Sequence, residues 1–555
     1  MAIPETGVSP EPAAAPTPPP APRRRPWKLI AVIVVVIVAL SGIAAYAVLT
    51  SAPTPTPSVV TYATNSEMVT LDPSSEFSNS ILLLPNVYET LTKWNATSNA
   101  ADPLLATGWT HSADGLNWTF TLRQGVTFHD GAAFNADAAK YALMRTITMN
   151  QGAAYIWLPL GNASQAAQNI EVKGTYTIVF HLLYVAAMDR IASSGYAAYM
   201  FSPNTPGANY TLQQKWFNAG HDSGSGPYTI NTAQYSNSYV VLDKYANYWG
   251  GWKAGQFDHA VIKVIPDQIQ REQAVTSKAA DITEDVPLKD IPALKSNTAV
   301  NVLETPSYRA LYAFFNMQRD PTNNLSVRQA LAYSLPYDAM VNSVTQGLGS
   351  QSIGVVPVTM WGHDASLPHF SFDMTKAQQA LSKSPHPNGG FTLSYTYVTG
   401  DLYEQKLAEL WKANLATLNI TLNIQPMIWE SQWALATGDP TQAQQIFVMY
   451  WWPTYVTPFD FLYNMFSYAS YRIFNLGYYN NSAFDNAIYS GSAAEATSPT
   501  TALSDYRSAQ VMLYTDLPGL GVVDLKNLYL LRSDLKGFTD NPAYPLVVFF
   551  YQLSH

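Results

Sequence analysis

No cysteine occurs among the 555 residues. Disulfides, thiolate nucleophiles and a lipid-modified N-terminal cysteine are therefore excluded. Charge is scarce as well: 12% of residues are Asp, Glu, Lys or Arg, and the formal balance is -9. That sign and sparseness argue against a nucleic-acid partner, because an extended phosphate-binding surface needs clustered Lys and Arg. Catalytic signatures are missing too. The nine His are dispersed with no H-E-x-x-H or comparable metal spacing. There is no G-x-S-x-G elbow, phosphate loop or dinucleotide fingerprint, so no cofactor is expected. "GHDSGSGPY" (Gly220 to Tyr228) brings His, Asp and Ser together, but its Gly-Ser-Gly-Pro core reads first as a turn. The neighbours Glu284 and Asp285 read as solvated loop carboxylates.

One long apolar run is present. "RRRPWK" (Arg23 to Lys28) precedes Leu29 to Leu49, a run of uncharged and mostly apolar residues. About twenty such residues cross a hydrocarbon layer of roughly 30 Å as one helix. The basic cluster on one side favours a cytoplasmic N-terminus and an exported remainder. A cleaved export signal is the rival, since Ala45-Tyr46-Ala47 resembles a processing site. The expectation is thus a disordered cytoplasmic tail at 1–28, a transmembrane helix or signal at 29–49, and a Pro-rich linker at 50–57. The remainder lies on the extracytoplasmic side of the cytoplasmic membrane, anchored by 29–49.

Strands and helices mix beyond the linker. Ser58 to Thr64, "LNWTFTLR", "TIVFHL", "YVVLDKY", "ALYAFFNM", "FTLSYTYV" and "ITLNIQ" read as strands. "NADAAKYALMRTI", "SVRQALAYSL" and "LYEQKLAELWKANLATL" read as helices, the first capped by Asn135 or Asp137. This order describes a multi-domain α/β or α+β chain without tandem repeats.

Several blocks in series are similar to one family, the extracellular solute-binding proteins of the oligopeptide and dipeptide type (family 5), which serve ABC importers. They are "LDPSSEFS" through "NVYETLTKW" (Leu71 to Trp94), Pro103 to Arg145 with its "GVTFHDG", "GSGPY" (Gly224 to Tyr228), "NYWGG" (Asn247 to Gly251), "VRQALAYSLPYD" (Val327 to Asp338) and "DLKNLYLLRSDLKGF". The resemblance implies an α/β, two-lobed, periplasmic-binding-protein-like (type II) trap with an additional subdomain, preceded here by the one transmembrane helix. Lobe I would comprise 58–92, 226–312 and 520–555, the inserted subdomain 93–225, and lobe II 313–519, with hinge crossings near Phe314 and Leu520. It further implies a monomer that encloses a small peptide or neutral organic solute and delivers it to ABC permease subunits with cytoplasmic ATPases, without chemical change. Nickel and haem, known ligands in the wider family, find no local support in the scattered His. A surface ligand sensor or adhesion module is the alternative, and a surface hydrolase with a triad drawn from distant residues is a further one.

"YWWPTYVTPFDF" (Tyr450 to Phe461) packs six aromatic rings, two prolines and one charge into twelve residues. In peptide-binding members a G-W-x-x-D-Y-x-x-P turn brings an aspartate to the ligand's α-amino group. The matching stretch is Tyr450 to Pro458, and it carries Thr454 where that aspartate stands. A hydroxyl can hydrogen-bond an ammonium without neutralising it. Asp460 is therefore either a substitute anion or an ordinary helix-start carboxylate. Of the adjacent Trp451 and Trp452, one is expected to pack inward and one to address the cleft. Tyr455 is divided between the same roles. The expected ligand contacts are Trp451, Trp452, Thr454, Tyr455 and Asp460.

Overall fold

A computed structural model describes residues 57–555. The apolar run at 29–49 lies outside the described residues, and among those described no helix is long and apolar enough to cross a membrane. The longest, Pro499–Asp516, carries Asp505, Arg507 and Asp516. The expected fold class is corrected accordingly to a two-lobed mixed α/β fold, with no transmembrane helix among the described residues. Neither a membrane partner through an N-terminal helix nor a location resting on such an anchor is retained.

The first lobe is built on a seven-stranded sheet in the order Val300–Thr305, Asn527–Arg532, Ile282–Glu284, Val59–Thr64, His259–Val264, Tyr239–Lys244 and Tyr228–Ser236. Val59–Thr64 runs parallel to both its neighbours. Glu284 is fully buried here, contrary to its reading as a solvated charge. Its carboxylate accepts from Thr64 Oγ1 and Asn65 N, both at 2.9 Å, and burial raises its pKa.

The second lobe holds a six-stranded sheet in the order Gly349–Gln351, Gly519–Leu525, Ala310–Phe315, Ile446–Trp451, Phe391–Val398 and Ile420–Met427. Every residue of Ala310–Phe315 is buried, as suits a strand covered on both faces. Its alternate side chains serve two cores: Ala310, Tyr312 and Phe314 face one, Leu311, Ala313 and Phe315 the other. The chain passes between the sheets at 306–309 and at Lys526, so Phe314 and Leu520 lie inside second-lobe strands.

Between the first strand and Tyr228 the chain forms a four-stranded antiparallel sheet, Ala106–His111, Asn117–Leu122, Thr177–His181 and Ile170–Gly174, with helix Ala136–Met149 beside it. That helix is capped by Asn135, whose side chain accepts from Ala138 N. A buried ion pair ties it to the loop after the first strand: Arg145 Nη1 and Nη2 donate to Asp72 at 2.7 and 2.6 Å, with both side chains fully excluded from solvent. Such a fork-on-carboxylate pair fixes direction as well as distance. The loop leading to Phe77 is thereby held in place.

"GHDSGSGPY" is structural. Asp222 pairs with His129 and accepts from Ile230 N at 2.7 Å. Gly224 lies so close to another segment that a Cβ there would meet the Val87 carbonyl oxygen at 2.0 Å. Only glycine permits that approach.

Candidate functional site

Strand Ile446–Trp451 carries the aromatic segment out of the second-lobe sheet, and helix Pro458–Phe466 takes it back. Thr457 caps that helix, accepting from Phe459 N at 3.1 Å, and Pro458 sits where no donor is needed. Asp460 falls in the first helical turn, where the partial positive charge of the helix start favours a carboxylate.

The loop between these elements is gripped from across the cleft by residues of the 93–225 region. Tyr155 Oη and Thr454 Oγ1 are 2.6 Å apart, and Tyr155 Oη donates to Asp460 Oδ1 at 3.2 Å. Ser194 Oγ donates to the Thr454 carbonyl at 2.7 Å. Trp452 Nε1 donates to Tyr196 Oη at 3.2 Å. One ion pair also crosses: Arg190 Nη1 lies 3.4 Å from Glu495 Oε2, and the same nitrogen donates to the Val456 carbonyl at 3.4 Å. Glu495 is buried and receives the hydroxyls of Thr457 and Tyr506 besides. The lobes are therefore in contact, and the contact is polar and directional.

Each expected ligand contact has a definite place. Trp451 is buried, its ring 4.9 Å from Phe474 and its Nε1 donating to Asp460 Oδ2 at 3.1 Å. Trp452 is half-buried and reaches across to Tyr196. Thr454 is buried beneath Tyr155, and Tyr455 is half-buried beside it. Asp460 is 1% exposed. It takes hydrogen bonds from Trp451 Nε1, Thr454 N (3.2 Å), Tyr155 Oη and Asn464 Nδ2 (3.1 Å). Among the described residues no Lys or Arg pairs with it, and burial pushes its pKa up to about 7, with those hydrogen bonds opposing the rise. The carboxylate thus reaches round to the backbone of Thr454, the position that lacks one.

Sequence reasoning missed the opposite wall. Phe77, Tyr155, Ser194 and Tyr196 line it, and Phe77 packs 5.3 Å from Tyr196, 6.2 Å from Tyr155 and 6.0 Å from Phe474 of the second lobe. Trp433 joins from the second lobe, 5.2 Å from Phe474. The one available signal was "SEFS" within the first family-like block. Beside the seam, Trp109, His111, Trp118, Asp189, Arg190 and Glu495 border an open crevice of about 510 Å³. Among the described residues no group of three His, Asp or Glu stands together as a metal site.

Aromatic walls with few, fixed polar groups suit capture of a small organic solute. Comparison with known proteins agrees. Residues 100–472 match the family model described as "Bacterial extracellular solute-binding proteins, family 5 Middle". Heme-binding protein A of Haemophilus influenzae is 25% identical over 481 residues, covering 82% of this chain and 85% of the relative. The dipeptide-binding protein of Escherichia coli (strain K12) is 25% identical over 482 residues, covering 82% and 87%. Among solved structures, the ABC transporter-associated periplasmic binding protein DppA from Helicobacter pylori, in complex with the peptide STSA, superimposes with a TM-score of 0.76 at 21% identity, covering 89% of this chain and 98% of that one. At that identity the likeness is one of fold.

Proposed function

The chain belongs to the family-5 bacterial extracellular solute-binding proteins, and from that premise we propose that its interlobe seam is a cleft for a short peptide bearing a free amino group. The protein is the extracytoplasmic solute-binding component of an ABC importer and captures a small ligand between two lobes. Its family binds solutes without converting them, so the surface-hydrolase alternative is set aside. Delivery to permease subunits is part of the same proposal.

The observation that carries the peptide reading is Asp460, a buried carboxylate without a cation that lies against Thr454 N. In the resembling peptide binders, an aspartate at the Thr454 position meets the ligand's ammonium. The names of two relatives, a dipeptide-binding protein and a protein solved with a peptide, lend support. The name of a third, a heme-binding protein, warns that family membership leaves the ligand open.

A second reading, a neutral solute, draws on a different observation: protein donors already serve both Asp460 oxygens. Thermal melting in the presence of dipeptides and of oligosaccharides, followed by calorimetry, separates the two. A ligand that binds only the folded state raises the melting transition. Stabilisation by dipeptides, lost on N-acetylation, is the expected result, and stabilisation by oligosaccharides alone would reverse the assignment.

A further inference from the structure

Strand Ala106–His111 stands at the edge of the four-stranded sheet and pairs within it only with Asn117–Leu122. Which way its main chain points follows from the bonds around it. Leu122 N donates to the Tyr176 carbonyl and Leu182 N to the Leu116 carbonyl, so the even-numbered residues of 116–122 bond toward Thr177–His181. The odd-numbered ones bond to the edge strand, as Ser112 N does to the Asn117 carbonyl. Bonded and non-bonded pairs alternate along an antiparallel ladder. Gly108 and Thr110, opposite Thr121 and Thr119, are therefore bonded inward, whereas Trp109 and His111, opposite Phe120 and Trp118, direct N–H and C=O outward. At the start of the strand Leu105 N and Ala106 N are taken by the Thr90 and Leu91 carbonyls. Among the described residues no main-chain bond from outside the sheet meets Trp109 or His111.

These same residues border the open crevice of about 510 Å³ beside the seam, together with Asp189 and Arg190 of the 93–225 region and Glu495 and Ala496 of the second lobe. Its charged lining is two carboxylates, one guanidinium and the exposed His111. Arg190 is committed to Glu495 and the Val456 carbonyl, and Glu495 also holds the hydroxyls of Thr457 and Tyr506. Asp189 has only its own N–H and that of Arg190 as donors to its carboxylate. The crevice is left with an anion to match. An open edge is a template for another strand unless Lys, Pro, a bulge or a covering loop protects it. Residues 108–111 include no Lys or Pro, and the register shift of this strand falls earlier, between Ala106 and Gly108. Outward groups that recur every second residue, about 6.8 Å apart, match the main chain of an extended polypeptide.

We propose that the edge at 108–111 is a docking site for a partner protein, which adds an extended segment to the sheet as a fifth strand and places a Lys or Arg side chain on Asp189. Main-chain bonds to Trp109 and His111 supply the attachment, and the carboxylate selects the segment. Glu495 and Ala496 complete the crevice from the second lobe, so the partner meets its whole site only while the lobes are in contact. The edge thereby distinguishes the closed arrangement from the open one. This assignment is independent of which solute the cleft holds.

The test uses the full chain and a bead-bound library of random octapeptides, N-acetylated and C-amidated so that no free amino terminus is offered to the cleft. Retained peptides are resynthesised and measured by fluorescence polarisation, and they should carry Lys or Arg. His111→Pro removes one outward N–H at an exposed edge position, where proline is tolerated. Its melting temperature should match the parent's, while its affinity should fall about tenfold, the scale of one lost hydrogen bond whose partner is left unpaired. His111→Ala keeps that N–H and should bind as the parent does. Asp189→Asn should lose the preference for Lys over norleucine at the same peptide position. An N-methyl scan of a retained peptide should abolish binding at alternate residues only, a readout that needs no change to the protein. Equal binding by parent and His111→Pro, or a scan without alternation, would overturn the docking edge. So would displacement of the peptide by free-amine dipeptides, or a library from which the parent retains nothing.

Discussion

Thr454 and Asp460 illustrate how one residue's chemistry is set by what covers it. Thr454 Oγ1 sits 2.6 Å from Tyr155 Oη, and its own N–H points at Asp460. Thr454→Asp would place a second carboxylate beside the first. With a free-amine dipeptide present the added anion meets a cation, and a charge-assisted hydrogen bond contributes about 1.5 to 3 kcal/mol. Calorimetry should therefore show binding tightened about tenfold or more, and the N-acetylated dipeptide should gain nothing. Weakening of both would favour the neutral-solute reading.

Asp460 also makes stability depend on pH. Burial raises its native pKa to about 7, against about 3.9 for an unperturbed aspartate. The folded form holds the proton more tightly than the unfolded one. Its contribution is therefore fully present below about pH 4 and is lost as pH rises through 7, at up to about 1.4 kcal/mol per unit. Glu76 and Glu89, raised to about 7 by the same cause, act in the same direction. The melting temperature should fall between pH 5 and pH 8, and Asp460→Asn should flatten part of that fall. A parallel curve for the variant would mean that Asp460 titrates normally.

At the scale of the element, helix Pro458–Phe466 depends on its first turn. Thr457 both caps it and passes its hydroxyl to Glu495, which ends helix Ser482–Ala494 and meets Arg190 across the cleft. One side chain therefore couples a helix start, a helix end and an interlobe ion pair. Thr457→Ala should cost about 1 to 2 kcal/mol, the usual range for a lost Thr cap. A lowered urea midpoint with unchanged slope would register it. A change within a few tenths of a kcal/mol would show that this fully buried cap adds little to stability.

For the molecule as a whole, the two passages at 306–309 and Lys526 are where rotation can occur without disturbing either sheet. Closure forms the Tyr155–Thr454, Ser194–Thr454, Trp452–Tyr196 and Arg190–Glu495 contacts. Opening parts Phe77 from Phe474. A ligand bound only by the closed arrangement shifts the population toward it. Solution scattering should give a larger radius of gyration without ligand than with a saturating one, and the liganded profile should match this structure. An unchanged curve at saturation would count against a closing trap.

Much of the local structure was legible from the amino-acid order alone. Alternation marked Asn117–Leu122, the strands Val59–Thr64 and Phe391–Val398 were also legible, and of the two candidate caps, Asn135 and Asp137, the structure uses Asn135, because period and capping are decided within one element. The motif series identified the family, and the oddity at Thr454 pointed to the segment that meets the opposing wall. Apart from the family-like "SEFS" around Phe77, that wall was not legible: Tyr155 lies 299 residues from Thr454, and nothing near Tyr196 in the chain marks it as a neighbour. Nor was the state of the charges. Glu284 reads as a loop carboxylate until strands more than two hundred residues away enclose it, and Glu76 looks ordinary until its turn is folded beneath Tyr196. Local periodicity is written in consecutive residues. Burial, and with it the protonation and hydrogen-bonding need of a carboxylate, depends on segments that only the folded chain brings together.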